Sequence, residues 1–104
     1  MQMEHERLDA YRVALEVARW MVRQPFPGGL ADLKNQGCRA AVSVVLNIAE
    51  GSRRRGKART HHYEIARGSG AETLTVLMIV DLPGSEAVAH KLRRVDRMLE
   101  RMGG

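Results

Sequence analysis

The chain is short of cysteine, of aromatic side chains and of long apolar runs. One cysteine, Cys38, among 104 residues excludes an intrachain disulfide framework and fits a reducing, cytoplasmic compartment. Aromatics make up only 4 % of the chain. A β-sandwich core draws on aromatic and β-branched alternation, so this scarcity points to helix packing. It also leaves no platform on which the bases of a single strand stack. No apolar run nears the roughly 20 residues of a membrane span, and the polar opening MQMEHERLD carries no signal-peptide pattern. No membrane partner is expected. The four histidines, His5, His61, His62 and His90, show neither the i, i+4 pairing nor the Cys/His spacing of a metal site. The glycines are scattered and form no phosphate-cradling loop, so neither metal nor cofactor is expected.

What the chain has is arginine. Lys and Arg number 17 against 12 acids, a formal charge of +5, and fourteen of the cations are Arg. Arginine offers a planar fork of donors suited to phosphate. The densest run is Arg53, Arg54, Arg55, Lys57 and Arg59. A second set, Arg94, Arg97 and Arg101, recurs near the C-terminus. Both sets are candidate contacts to nucleic-acid phosphates, RNA or DNA, with the salt dependence such contacts carry.

The organising stretch is Arg39–Gly51, RAAVSVVLNIAEG. At about 3.6 residues per turn, Ala41, Val44, Ile48 and Gly51 share one side, and Val42, Leu46 and Ala49 share the opposite one. A helix apolar on two sides is normally surrounded by protein. Between the apolar sides runs a polar stripe, Arg39, Ser43, Asn47 and Glu50. With Arg67, Ser69 and Glu72 further on, these form a candidate structural network. Glu50 and Glu72 also fit a catalytic acid pair on paper, but pairing with Arg39, Arg54 or Arg67, or with Asn47 and Ser69, is the stronger reading. No enzymatic activity is expected.

Four helices are expected in a single domain of residues 1–104, at about 8–24, 30–51, 57–80 and 85–102. Residues 1–7 are expected to fray. In the first helix Tyr11, Leu15, Ala18 and Val22 form a stripe, widened by Val13, Val17 and Trp20. Arg12–Glu16 and Glu16–Arg19 are its expected ion pairs. Pro25 and the following glycines end it. Asp32 sits in the first turn of the second helix, where it meets the positive end of the dipole. The third helix presents Tyr63, Ala66, Gly70, Thr73, Leu74 and Leu77, and its mid-helix Gly68 and Gly70 imply a close backbone approach. Ser85 is the candidate N-cap of the fourth helix, whose seam is Val88, Leu92, Val95, Leu99 and Met102. Short connections give an up-down-up-down antiparallel four-helix bundle.

The segments Leu33…Gln36…Arg39-Ala40-Ala41…Ser43…Asn47-Ile48-Ala49-Glu50-Gly51, then Arg54, then Ala66-Arg67-Gly68-Ser69…Glu72 resemble a known family. It is the bacterial four-helix bundle proteins first noticed as reading frames in intervening sequences of large-subunit ribosomal RNA genes. The accessory variability proteins of diversity-generating retroelements look like members of the same superfamily. The resemblance runs from Leu8 to about Met102. The chain departs from the family's habit in carrying His61-His62-Tyr63 where aromatics are common. The resemblance implies a ring-like homopentamer without enzymatic activity. For the retroelement branch it also implies binding of nucleic acid and of a reverse transcriptase.

Overall fold

In the computed structural model the backbone is described for residues 2–103 and the side chains for residues 6–102. Met1 and Gly104 lie outside the described residues, as does the side chain of His5. The described chain is all-helical: α1 (Gln2–Arg23), α2 (Ala31–Ser52), α3 (Gly56–Val80) and α4 (Ser85–Gly103), with no strand among the described residues. α1 starts six residues before the expected Leu8. Its early turn is tied down, because Glu6 accepts a hydrogen bond from Arg101 Nε at 2.6 Å.

The breaks follow local chemistry. Pro25 and Pro27 end α1, and Leu30 N–H donates to the Pro27 carbonyl at 3.2 Å before α2 begins. Asp32 occupies the first turn of α2. α3 ends in a left-handed residue, Asp81, at φ 56°. Its N–H closes on the Leu77 carbonyl at 2.9 Å, a helix stop that glycine usually supplies. Ser85 does not act as an N-cap. Its hydroxyl donates back to the Leu82 carbonyl, and the residue is buried at the start of α4.

Each helix packs on two others: α1 on α2 and α4, α3 on α2 and α4, with the α2–α3 contact the most extensive. The arrangement is compatible with a four-helix bundle and measures 44 × 21 × 17 Å. Tyr63, Met21, Ile48, Leu77 and Leu99 are the largest wholly buried side chains. The α4 seam is buried throughout. So are Ala41, Val44, Ile48 and Gly51 of α2.

Three expectations fail in instructive ways. The buried side of α1 is Ala10, Val13, Ala14, Val17 and Met21, so the expected stripe is rotated: of its members Ala18 is buried, whereas Tyr11 and Val22 are exposed. The expected ion pairs of α1 are replaced as well, since Arg12 bonds Asp9 and Glu16 bonds Lys91 of α4 at 3.1 Å. The glycines thought to admit a close neighbour do not do so. A Cβ on Gly68 meets nothing within 4 Å, and one on Gly70 meets only Val44 at 3.9 Å. The close approaches are at Gly37 and Gly51 instead. A Cβ on Gly51 would lie 2.6 Å from the Tyr63 ring.

Candidate nucleic-acid interface

The basic run forms the turn between α2 and α3. Arg53 and Arg54 N–H groups still bond the Glu50 and Gly51 carbonyls, at 3.1 and 3.0 Å. Arg55 is then extended, with φ −135° and ψ 159°. Gly56 takes φ 56°, a left-handed conformation that admits glycine without strain, and it starts α3.

The five cations of this turn divide into two groups. Arg54 Nε donates to Glu50 Oε2 at 2.6 Å. Arg59 Nε donates to the Gly51 carbonyl at 3.2 Å and its Nη2 to Ser52 O at 3.4 Å. Arg59 thus adds a cation to the carbonyl end of α2, where the dipole favours one. Arg53, Arg55 and Lys57 are exposed and make no ion pair among the described residues. Arg53 is the C-cap of α2, whereas Arg55 and Lys57 sit at the start of α3, which has no acidic residue in its first turn and no side-chain cap. Positive side chains here face the positive end of the helix dipole. Beside Lys57 an open trough is lined by Gly56, Thr60, His61 and Glu64.

On α4, Arg94 and Arg97 are exposed. Arg101 is held by Glu6, and Lys91 by Glu16. Arg93, exposed one residue before Arg94, was not among the candidates; its spacing of four from Arg97 was the available signal.

The polar residues of α2 and α3 meet beneath this turn. His62 Nδ1 lies 3.0 Å from Asn47 Oδ1. Asn47 Nδ2 donates to the Ser43 carbonyl at 2.9 Å and to Ser43 Oγ at 3.2 Å. Ser43 Oγ lies 2.8 Å from Ser69 Oγ. Since the Asn47 amide nitrogen serves Ser43, its oxygen accepts from His62 Nδ1–H, and the Ser43 hydroxyl links this pair to Ser69. His62 enters the chain of bonds unanticipated, because its neighbour across the helix pair is not visible in sequence.

Arg67 pairs with Asp96 of α4, Nε to Oδ1 at 2.8 Å, and that bond raises its already high pKa. Arg39 and Glu72 are exposed and lie outside the bonded chain. Glu50 is held below the ordinary carboxylate range, first by its hydrogen bond from Arg54 and then by the charge of that guanidinium. A carboxylate kept ionised is poorly suited to act as a general acid. No group of three or more His, Cys, Asp or Glu among the described residues is placed to hold a metal. No helix among them is long and apolar enough to cross a membrane. Cys38 is half-buried, with its sulfur 3.6 Å from the Met21 carbonyl.

A family model described as 23S rRNA-intervening sequence protein matches residues 6–99, nearly the whole chain. No curated protein and no solved structure matches it significantly.

Proposed function

We propose that this chain, which belongs to the 23S rRNA-intervening sequence protein family, is a non-enzymatic cytoplasmic scaffold that self-associates and binds nucleic acid through the α2–α3 turn. One observation carries the nucleic-acid part. Arg55 and Lys57 stand without an ion pair among the described residues at the N-terminus of α3, which already carries partial positive charge and has no acid in its first turn, and Arg53 is exposed beside them at the end of α2. Free-standing, that arrangement is electrostatically unfavourable; a phosphate relieves it. Arg94 and Arg97 extend the basic surface along α4.

Self-association rests on where apolar surface is left. The exposed large apolar residues are Leu8, Tyr11 and Val22 on α1, Val42 and Leu46 on α2, and Ile65, Met78 and Ile79 on α3, with none on α4 among the described residues. Leu46 is 61 % exposed. The patches on α1 and α3 flank α2 on different sides, and a closed ring uses two different patches per copy where a dimer uses one. A homopentamer is the form we propose. The pairs Glu6–Arg101 and Glu16–Lys91, with Ser43–Ser69 and Asn47–His62, support an up-down-up-down antiparallel course. Accessory service to a reverse transcriptase is the narrower proposal, supported by the resemblance of the NIAEG and ARGS segments alone. The alternative, a purely protein-binding oligomer, is favoured by Arg54, Arg59 and Arg101 being engaged within the chain.

The test is fluorescence anisotropy of an oligouridine RNA and of a duplex DNA against salt. Three free cations per copy predict a log–log salt slope of about −2 to −3 per copy engaged. Reversing the charge of Arg53, Arg55 and Lys57 together abolishes it. Absence of binding to either probe at low salt would sink the proposal.

A further inference from the structure

The outward edge shared by α1 and α4 holds more arginine than its acids neutralise. On α1, Asp9, Arg12, Glu16, Arg19 and Arg23 recur at steps of three and four and form one stripe. On α4, His90, Arg94, Arg97 and Arg101 form another. Among the described residues three acids serve these stripes, and each already has a cation. Asp9 bonds Arg12, Glu16 bonds Lys91 at 3.1 Å, and Glu6 bonds Arg101. The other acids of α4 are Glu86, Asp96 and Glu100. They recur with Arg93 on a different edge, where Asp96 and Glu100 meet Arg67 of α3. Arg19, Arg23, Arg94 and Arg97 are left exposed and make no ion pair among the described residues.

Charge of one sign with nothing to cancel it selects a polyanion. Its form follows from spacing. With α1 and α4 antiparallel, as Glu6–Arg101 and Glu16–Lys91 support, Arg94 and Arg97 stand level with the middle of α1 and Arg19 and Arg23 with its end. Along the helices the two arginine pairs are then about 14 Å apart, from the rise per residue. The major groove of B-form DNA is about 12 Å wide, so two such pairs on rigid helices meet the phosphates on either side of it. A single strand offers one line of phosphates and is held by stacking, and neither stripe contains an aromatic residue. A protein partner or a lipid surface draws on apolar anchors. α4 has no large exposed apolar residue among the described residues. Those of α1, Leu8, Tyr11 and Val22, centre about a quarter-turn round from its charged stripe.

We propose that the α1–α4 edge is a binding surface for double-stranded DNA, with Arg19 and Arg23 on one phosphate strand and Arg94 and Arg97 on the other. This holds whether or not the α2–α3 turn binds nucleic acid. Reversing the turn takes the chain's net charge from +5 to below zero and repels a polyanion from every face, so it does not locate the duplex. Neutralising single edges does. The probes are a fluorescein-labelled duplex DNA of about two helical turns and an oligouridine, titrated with the full chain at several salt concentrations. R19Q/R23Q and R94Q/R97Q remove one pair each. K34Q/R39Q removes the same charge from α2 and is the control. All alter side chains that are at least part-exposed, and circular dichroism verifies that each folds. The expected result is duplex binding weakened about tenfold by each arginine pair, with a log–log salt slope shallower by about two. Oligouridine binding stays within about twofold in R19Q/R23Q, and duplex binding does so in K34Q/R39Q. The proposal is overturned if the duplex does not bind at low salt, or if R19Q/R23Q binds it as the parent does. It is equally overturned if R19Q/R23Q weakens oligouridine as much as the duplex, or if K34Q/R39Q weakens the duplex as much as R19Q/R23Q, which would leave only the effect of net charge.

Discussion

Replacing Gly51 by alanine sets a gain in helix propensity against a collision. The gain is at most about 1 kcal/mol. The new Cβ would lie 2.6 and 2.7 Å from two carbons of the Tyr63 ring and 3.2 Å from His62 Cβ. Non-bonded carbons sit at about 3.5 Å or more, so a ring that is only 2 % exposed or the α2 backbone must give way by about 1 Å. Overpacking of this kind costs about 1–3 kcal/mol. The net is a destabilisation of up to about 2 kcal/mol, a fall in Tm of up to about 10 °C for a domain of this size. Gly68→Ala supplies the control. Nothing lies within 4 Å of its Cβ, so the propensity gain of about 1 kcal/mol stands alone and Tm rises. Gly37→Ala falls between, because its nearest contact, at 2.6 Å, is the flexible end of Met21. Thermal melting by circular dichroism, at matched protein concentration, reads all three. The reasoning is refuted if Gly51→Ala melts at or above the parent, or if Gly68→Ala melts below it.

Three further predictions use the same kind of measurement. Asp81 holds φ 56°, so Asp81→Gly removes the left-handed penalty and stabilises by about 0.5–1 kcal/mol; a lower urea midpoint contradicts this. Ser43→Ala leaves Asn47 and Ser69 each short of a partner in a part-buried site, a loss of about 1–2 kcal/mol by urea unfolding, with no change counting against the bonded chain. Glu50 has its pKa lowered in the folded state from 4.5. The stability it contributes is therefore present above that value and is lost as pH falls through the lower folded one. Glu50→Gln is expected to flatten stability against pH below about 4.5 and to leave its slope at neutral pH unchanged.

Helix number and the inner faces of α2 and α4 were legible because they depend on periodicity alone. Val88, Leu92, Val95, Leu99 and Met102 keep a strict narrow seam, and all five are buried. α1 was harder, since its apolar residues cover more than half the circumference and periodicity cannot say which part faces inward. The structure places Ala10, Val13 and Val17 inside and leaves Tyr11 and Val22 outside. Glycine roles were misread for a related reason. A glycine in sequence reports missing bulk, and only the partner helix says whether that space is used, as Tyr63 uses it at Gly51 and nothing does at Gly68. At the basic turn, composition named the cations but not their division. Arg59 serving the end of α2 and Arg101 serving Glu6 are contacts across chain distances that no local pattern encodes.

The central claim is that α2 and its neighbours present apolar surface that other copies cover, while the basic turn stays outside. Sedimentation velocity at micromolar concentration tests it directly. The account predicts a particle several times the 11.6 kDa chain, and a Leu46→Glu variant that sediments as single copies while keeping its helical spectrum. A parent protein that stays a well-folded single copy at that concentration contradicts it.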